Sequence, residues 1–219
     1  MRNRFDKELI KMHEDLISMA ALVETAISRA VEALKKYDAD LARITMAGDK
    51  EVDQKEREIE STCLKLLLQQ QPVARDLREI STALKMITDM ERIGDLAEDI
   101  AEVTLFLCDK PSYVAPEQLS YMAEATIKMV RDSIDAFVTH DLAAAHAVIE
   151  YDDVVDKLFA DTRAVLVERI HESLEDAEQA MDIMMIAKYF ERIGDHAVNI
   201  SEWVEFSITG THKQTRVLG

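Results

Sequence analysis

Eight acidic residues fall into four pairs with one spacing, acid-x-x-x-Asp. They are Asp49/Asp53 in DKEVD, Glu91/Asp95 in ERIGD, Asp152/Asp156 in DDVVD and Glu191/Asp195 in a second ERIGD. Four residues make about one helical turn, so each pair projects from one face of a helix. The stripe through Glu91 reads Ile80, Leu84, Ile87, Glu91, Gly94, Glu98, Ala101 and Leu105; that through Glu191 reads Met184, Ala187, Glu191, Gly194 and Val198. Both glutamates thus fall at or beside core positions, where an unpaired carboxylate is costly and neighbouring carboxylates repel. Cations would relieve both costs. An anionic, all-oxygen site suits hard ions such as Mg²⁺ or Mn²⁺, or iron, with more than one ion per site feasible.

Whether the pairs meet depends on the elements that carry them. Antiparallel helices joined by a short turn bring together residues equidistant from that turn. Asp53 and Glu91 are equidistant from position 72, as are Asp49 and Asp95, and that position is Pro72. Asp156 with Glu191, and Asp152 with Asp195, centre on 173.5, inside ESLED. A single such pair in an acidic chain fits a solvated helix face better than a ligand set. The coincident mirror points tip the balance toward two cation sites, one per half. Gly94 and Gly194 would allow a neighbouring helix or a ligand to approach closely, and Arg92 and Arg192 would offset some of the negative charge.

The two ERIGD words lie 100 residues apart, and Ala97/Ala197, Ile100/Ile200, Glu102/Glu202 and Phe106/Phe206 agree at the same offset. This is an internal duplication. Apolar residues at helical spacing predict helices over about 5–37, from near 41 to QQQP, and a third that carries Leu77 to Leu105 and stops by DKPSYVAP. A matching set follows over about 117–139, to about 171, and over about 176–208. Asp38–Asp40 can cap the second helix, and His140–Leu142 (HDL) plays the part of Ala39–Leu41 (ADL). The expected fold is all-α, a tandem duplication of two three-helix bundles: residues 1–109, a linker at 110–116, and 117–219. Few Gly and Pro (five and three) and eleven Met among abundant Ala, Leu, Glu and Lys agree with that.

The net charge of −17 argues against direct nucleic-acid binding, so any effect on genes would be relayed by another protein. Cys63 and Cys108 form no C-x-x-C pair and read as thiols of a reducing compartment. The charged N-terminus is no signal peptide, and no apolar run reaches membrane-spanning length. The expected location is cytoplasmic. No phosphate loop, nucleophile elbow or C-x-x-C zinc arrangement is present, and no enzymatic activity is expected. His196 points away from Asp195 and reads as a bystander, Trp203 as packing, and Glu168/His171 as an incidental E-x-x-H.

The two ERIGD words, their partners DKEVD and DDVVD, and QQQPVARDLREISTALK at Gln69–Lys85 resemble the PhoU family of phosphate-uptake regulators. The resemblance covers nearly the whole chain, although the second half lacks a clear counterpart of QPVARDLR. It implies a cytoplasmic accessory protein of a high-affinity phosphate transporter that restrains starvation signalling. Its implied partners are the transporter's ATPase subunit and a membrane-bound sensor histidine kinase, and homodimers or larger assemblies are implied too. It also implies metal clusters held by Glu/Asp-x-x-x-Asp, here Asp49/Asp53, Glu91/Asp95, Asp152/Asp156 and Glu191/Asp195. The competing reading is a carboxylate-bridged metal oxidase or iron-storage bundle. That class generally needs two E-x-x-H motifs, and only Glu168/His171 has the spacing.

Overall fold

The computed structural model describes residues 2–70, 73–109, 114–212 and 215–216. Six helices dominate: α1 (Arg2–Lys36), α2 (Ala39–Gln70), α3 (Ala74–Cys108), α4 (Gln118–Thr139), α5 (Leu142–Glu172) and α6 (Ala177–Thr209). The all-α expectation holds, and each helix lies within a few residues of its predicted span. Pro72, and residues 110–113 of the expected linker, lie outside the described residues.

Local chemistry sets the helix ends. Tyr37 and His140 adopt the left-handed region (φ 50° and 55°), and an Asp follows each. Asp38 Oδ1 accepts the N–H groups of Asp40 and Leu41 at 3.1 and 2.9 Å, and Asp141 Oδ1 accepts that of Ala144 at 3.0 Å. These caps satisfy donors that a helix start leaves orphaned. They also correct the expected alignment: His140–Asp141 corresponds to Tyr37–Asp38, two residues before the letters "AD" that seemed to match. In both turns the capping aspartate directly follows the left-handed residue, a place held by Asp38 and not by Asp40. α6 ends on Gly210 (φ 79°), whose N–H donates to the Phe206 carbonyl at 2.8 Å.

Helices α1, α2 and α3 pack on one another, as do α4, α5 and α6; α3 on α6 and α1 on α4 join the two sets. Buried apolar residues from both sets form one continuous cluster in which Phe137 and Phe190 are among the largest fully buried side chains. The α3–α6 contact carries specific bonds. Thr82 Oγ1 donates to the Trp203 carbonyl at 3.2 Å, and Arg78 Nε–H donates to that of Ser207 at 3.3 Å. Asp89 Oδ1 lies 2.8 Å from His196 Nδ1 and accepts from Asn199 Nδ2 at 3.3 Å. Numbers rise along α3 as they fall along α6, so the two helices run antiparallel, and by the same count residue 91 falls opposite about residue 194. A two-stranded antiparallel pair, β1 (Thr211–His212) and β2 (Thr215–Arg216), follows α6. Trp203 stacks on His212 with centroids 3.9 Å apart, in agreement with its packing role. No described helix is long and apolar enough to cross a membrane.

Two acidic seams as candidate metal centres

Gly94 on α3 faces α2 so closely that a Cβ there would sit 3.0 Å from Asp49 Oδ1 and 3.1 Å from Val52 Cγ1. At Gly194 on α6, a Cβ would sit 2.9 Å from Asp152 Oδ1 and 3.5 Å from Val155 Cγ1 of α5. The contacts pair residues placed symmetrically about the predicted turns. Each glycine lets the first acid of the preceding helix lie against the helix backbone, beside the Glu and Asp that flank the glycine.

In the first seam Asp49, Asp53, Glu91 and Asp95 are all half-buried. The Oδ1 of Asp49 is buried and makes no hydrogen bond among the described residues. Burial, then the charges of Glu98, Asp95, Asp53 and Glu91, push the Asp49 carboxyl up to about 6. Burial and Asp95 raise Glu91 against the pull of Arg92. The second seam repeats this: burial, with Asp156, Asp195, Glu191 and Asp153, pushes Asp152 up to about 6. Burial and Glu191 raise Asp195 although its side chain is exposed, as is that of Asp156. The second seam is therefore the more open.

Basic side chains answer part of this charge. Arg57 reaches Asp53 at 2.6 Å, Arg92 reaches Asp95 at 3.1 Å and Glu91 at 3.5 Å, and Lys188 pairs with Glu191. Among the described residues, no three potential ligands already converge at coordination distance. The carboxylates share a field without yet sharing a point. Arg92 offsets charge as expected, whereas Arg192 acts on Asp99 across the α3–α6 contact.

Glu98 and Glu56 also belong to the first seam's field, and burial followed by neighbouring carboxylates raises both. The signal for Glu98 was legible, because it lies on the same stripe one turn beyond Gly94; its counterpart Val198 leaves the second seam with fewer acids. His196 is turned toward Asp89. Glu168 and His171 are exposed near the end of α5, far along the helix from Asp152. Cys63 and Cys108 are free thiols, Cys63 fully buried and pushed up to about 12 by that burial.

The PhoU domain profile matches twice, over residues 16–104 and 119–204, and each match contains one seam. The chain is 36% identical over 216 residues to the phosphate-specific transport system accessory protein PhoU homolog 1 of Thermotoga maritima, covering 98% of this chain and 93% of that one. It is 34% identical to the homolog of Clostridium acetobutylicum, over 95% of this chain and 96% of the relative. The crystal structure of PhoU from Pseudomonas aeruginosa superposes with a TM-score of 0.89 at 34% identity, over 94% of this chain and 100% of that one. The phosphate transport system regulatory protein PhoU from Streptococcus pneumoniae does so at 0.87 and 27%, over 94% and 98%. Alike in fold along nearly its whole length and carrying the domain in both halves, this chain belongs to the PhoU family.

Proposed function

We propose that this chain regulates phosphate uptake as a non-enzymatic accessory protein of a phosphate transport system. The observation that carries this reading is end-to-end similarity to accessory proteins of that name. Its units, 1–109 and 117–219, each hold metal ions in the acidic seam, and its surface contacts the transporter's ATPase subunit and a sensor histidine kinase in the cytoplasm, as a homodimer. The donor set fits hard cations: oxygen-only ligands, a buried unbonded Asp49 oxygen, and carboxyls raised by burial and by one another's charge. Asp49, Asp53, Glu91 and Asp95 would hold ions in the first unit, and Asp152, Asp156, Glu191 and Asp195 in the second. Iron, manganese or magnesium, more than one ion per seam, would neutralise the acids and tie paired helices together.

Affinity capture from cells grown in high phosphate tests the regulatory reading. Co-purification of the ATPase subunit or the kinase is the expected result; capture of neither rejects it. An oxidase is disfavoured because Glu168/His171, the one E-x-x-H noted, lies outside both seams. Dioxygen consumption by iron-loaded protein would reverse that preference.

A further inference from the structure

The segment QPVARDLR has no clear sequence counterpart in the second half, and the seams give it no role. Its helical part opens α3, and three of its neighbours in the fold come from elsewhere in the chain. Arg75, Arg78 and Glu79 line a cavity of about 230 Å³ together with His140 from the α4–α5 turn and Ser207 and Ile208 near the end of α6. Helices of both units therefore build its wall. The volume lies below the several hundred Å³ typical of sites for drug-sized ligands, which restricts the occupant to a small molecule or ion.

The chemistry of the wall is unusual for so acidic a chain. Arg78, half-buried, donates its Nε–H to the Ser207 carbonyl, which anchors the guanidinium beside the cavity it lines. Arg75 is exposed at the rim and has no ion pair within 4 Å among the described residues. Glu79, only 5% exposed, lies 2.8 Å from His13 Nε2 and 3.9 Å from His140 Nε2. His13, His140 and Arg75 thus offset part of its charge from within the protein. Burial acts to raise this carboxyl, but the adjacent His13 imidazole, helped by His140 and Arg75, outweighs it and holds the group below its usual range.

The duplication supplies an internal control. At the offset of the ERIGD words, Arg78 corresponds to Glu178 and Glu79 to Gln179, and Gln179 is as buried as Glu79 (4%). His140 corresponds to Tyr37, the other left-handed residue before a capping aspartate. The framework position at 79/179 keeps its burial while the charge around it changes sign. A basic residue at 78 is therefore no requirement of helix packing.

We propose that this cavity binds a small tetrahedral oxyanion, inorganic phosphate, through the guanidinium groups of Arg75 and Arg78 and the imidazole of His140. Guanidinium presents paired donors that match two oxygens of such an ion. The choice of phosphate among oxyanions rests on the regulatory reading above; the arginine chemistry does not. Because both units contribute, bound phosphate ties the start of α3 to the end of α6 and to the α4–α5 turn.

Calorimetric titration of inorganic phosphate into the whole protein, as purified and again after chelation, tests this. One saturable site per chain is expected in both preparations. Arg75→Gln, at an exposed rim position that leaves the fold intact, is expected to weaken it at least tenfold, and Arg75→Gln/Arg78→Gln to abolish it. ATP carries the same phosphate chemistry on a body too large for the cavity and is expected to bind at least tenfold more weakly. The proposal is overturned by absence of saturable binding, by an unchanged affinity in the helical double variant, or by binding that disappears on chelation, which would place the ion on metal. ATP binding as tightly as phosphate would overturn the assignment to the free ion. The capture experiment decides the regulatory reading separately, so either can fail alone.

Discussion

Asp49 and Asp152 lie against glycines, and the two glycines differ in what surrounds them. An alanine at Gly94 meets both the Asp49 oxygen and a stiff, β-branched Val52 within about 3 Å, whereas at Gly194 the tight neighbour is the Asp152 carboxylate alone. A carboxylate can rotate away; a packed valine on a facing helix moves only with its backbone. Alanine gains about 1 kcal/mol of helix propensity over glycine, which must be set against the clash. Gly94→Ala is expected to lower the melting temperature, while Gly194→Ala leaves it level or raises it; both should weaken metal binding in their own seam. Thermal melts with and without added Mn²⁺ separate the two effects. The raised carboxyls give a second expectation. Asp49 and Asp152 each rise from 3.8 to about 6 on folding without metal, so the folded state holds protons that the unfolded chain has released. Stability contributed below pH 4 is therefore lost as pH rises through about 6. Each group is partly exposed, and screening reduces the effect to about 1 kcal/mol apiece. Metal-free protein should melt lower at pH 7 than at pH 5, with Asp49→Asn flattening the slope; a melting temperature that climbs over this interval would refute the shared-field picture.

At the scale of the helix, spacing carried most of the information. Long, uninterrupted apolar stripes made all six helices legible, and equidistance from two turns made the pairing of α2 with α3 and of α5 with α6 legible as well. Three features were not. The alignment of the caps was misread because Asp38 and Asp40 stand two apart, and only the backbone shows which follows the left-handed residue. The short β-hairpin after α6 has no periodic signal. The contact of α3 with α6 depends on long-range packing, so the Asp89–His196–Asn199 bonds could not be read from either helix alone. The cap assignment has its own test. Asp141→Ala and Asp38→Ala should each cost about 1 kcal/mol, whereas Asp40→Ala, which removes only an exposed pair with Arg43, should cost little. Denaturant titration of the three variants reads the difference.

For the whole molecule, the placement of the acids on α3 and α6 matters most. These two helices pack against each other near the residues that carry both seams, and the fields cross the contact: Arg192 acts on Asp99, and His196 acts on Glu91. One apolar cluster runs through both units, so their cores are continuous. Metal in either seam should therefore stabilise the entire chain. Replacing Asp53 and Glu91 with Asn and Gln is expected to remove metal from the first unit and leave the second loaded, with elemental analysis reading the difference. Ions present at about a hundredfold above their dissociation constant add about 2.7 kcal/mol per site if they bind only the folded state. For a chain of this size that corresponds to roughly 5–10 °C in melting temperature. Chelation, which empties both seams, should lower a single calorimetric transition by about twice that, and in the double variant by about the one-site amount, still within one transition. Two transitions, of which only one responds to metal, would mean that the units unfold separately and that the shared α3–α6 spine does not couple them.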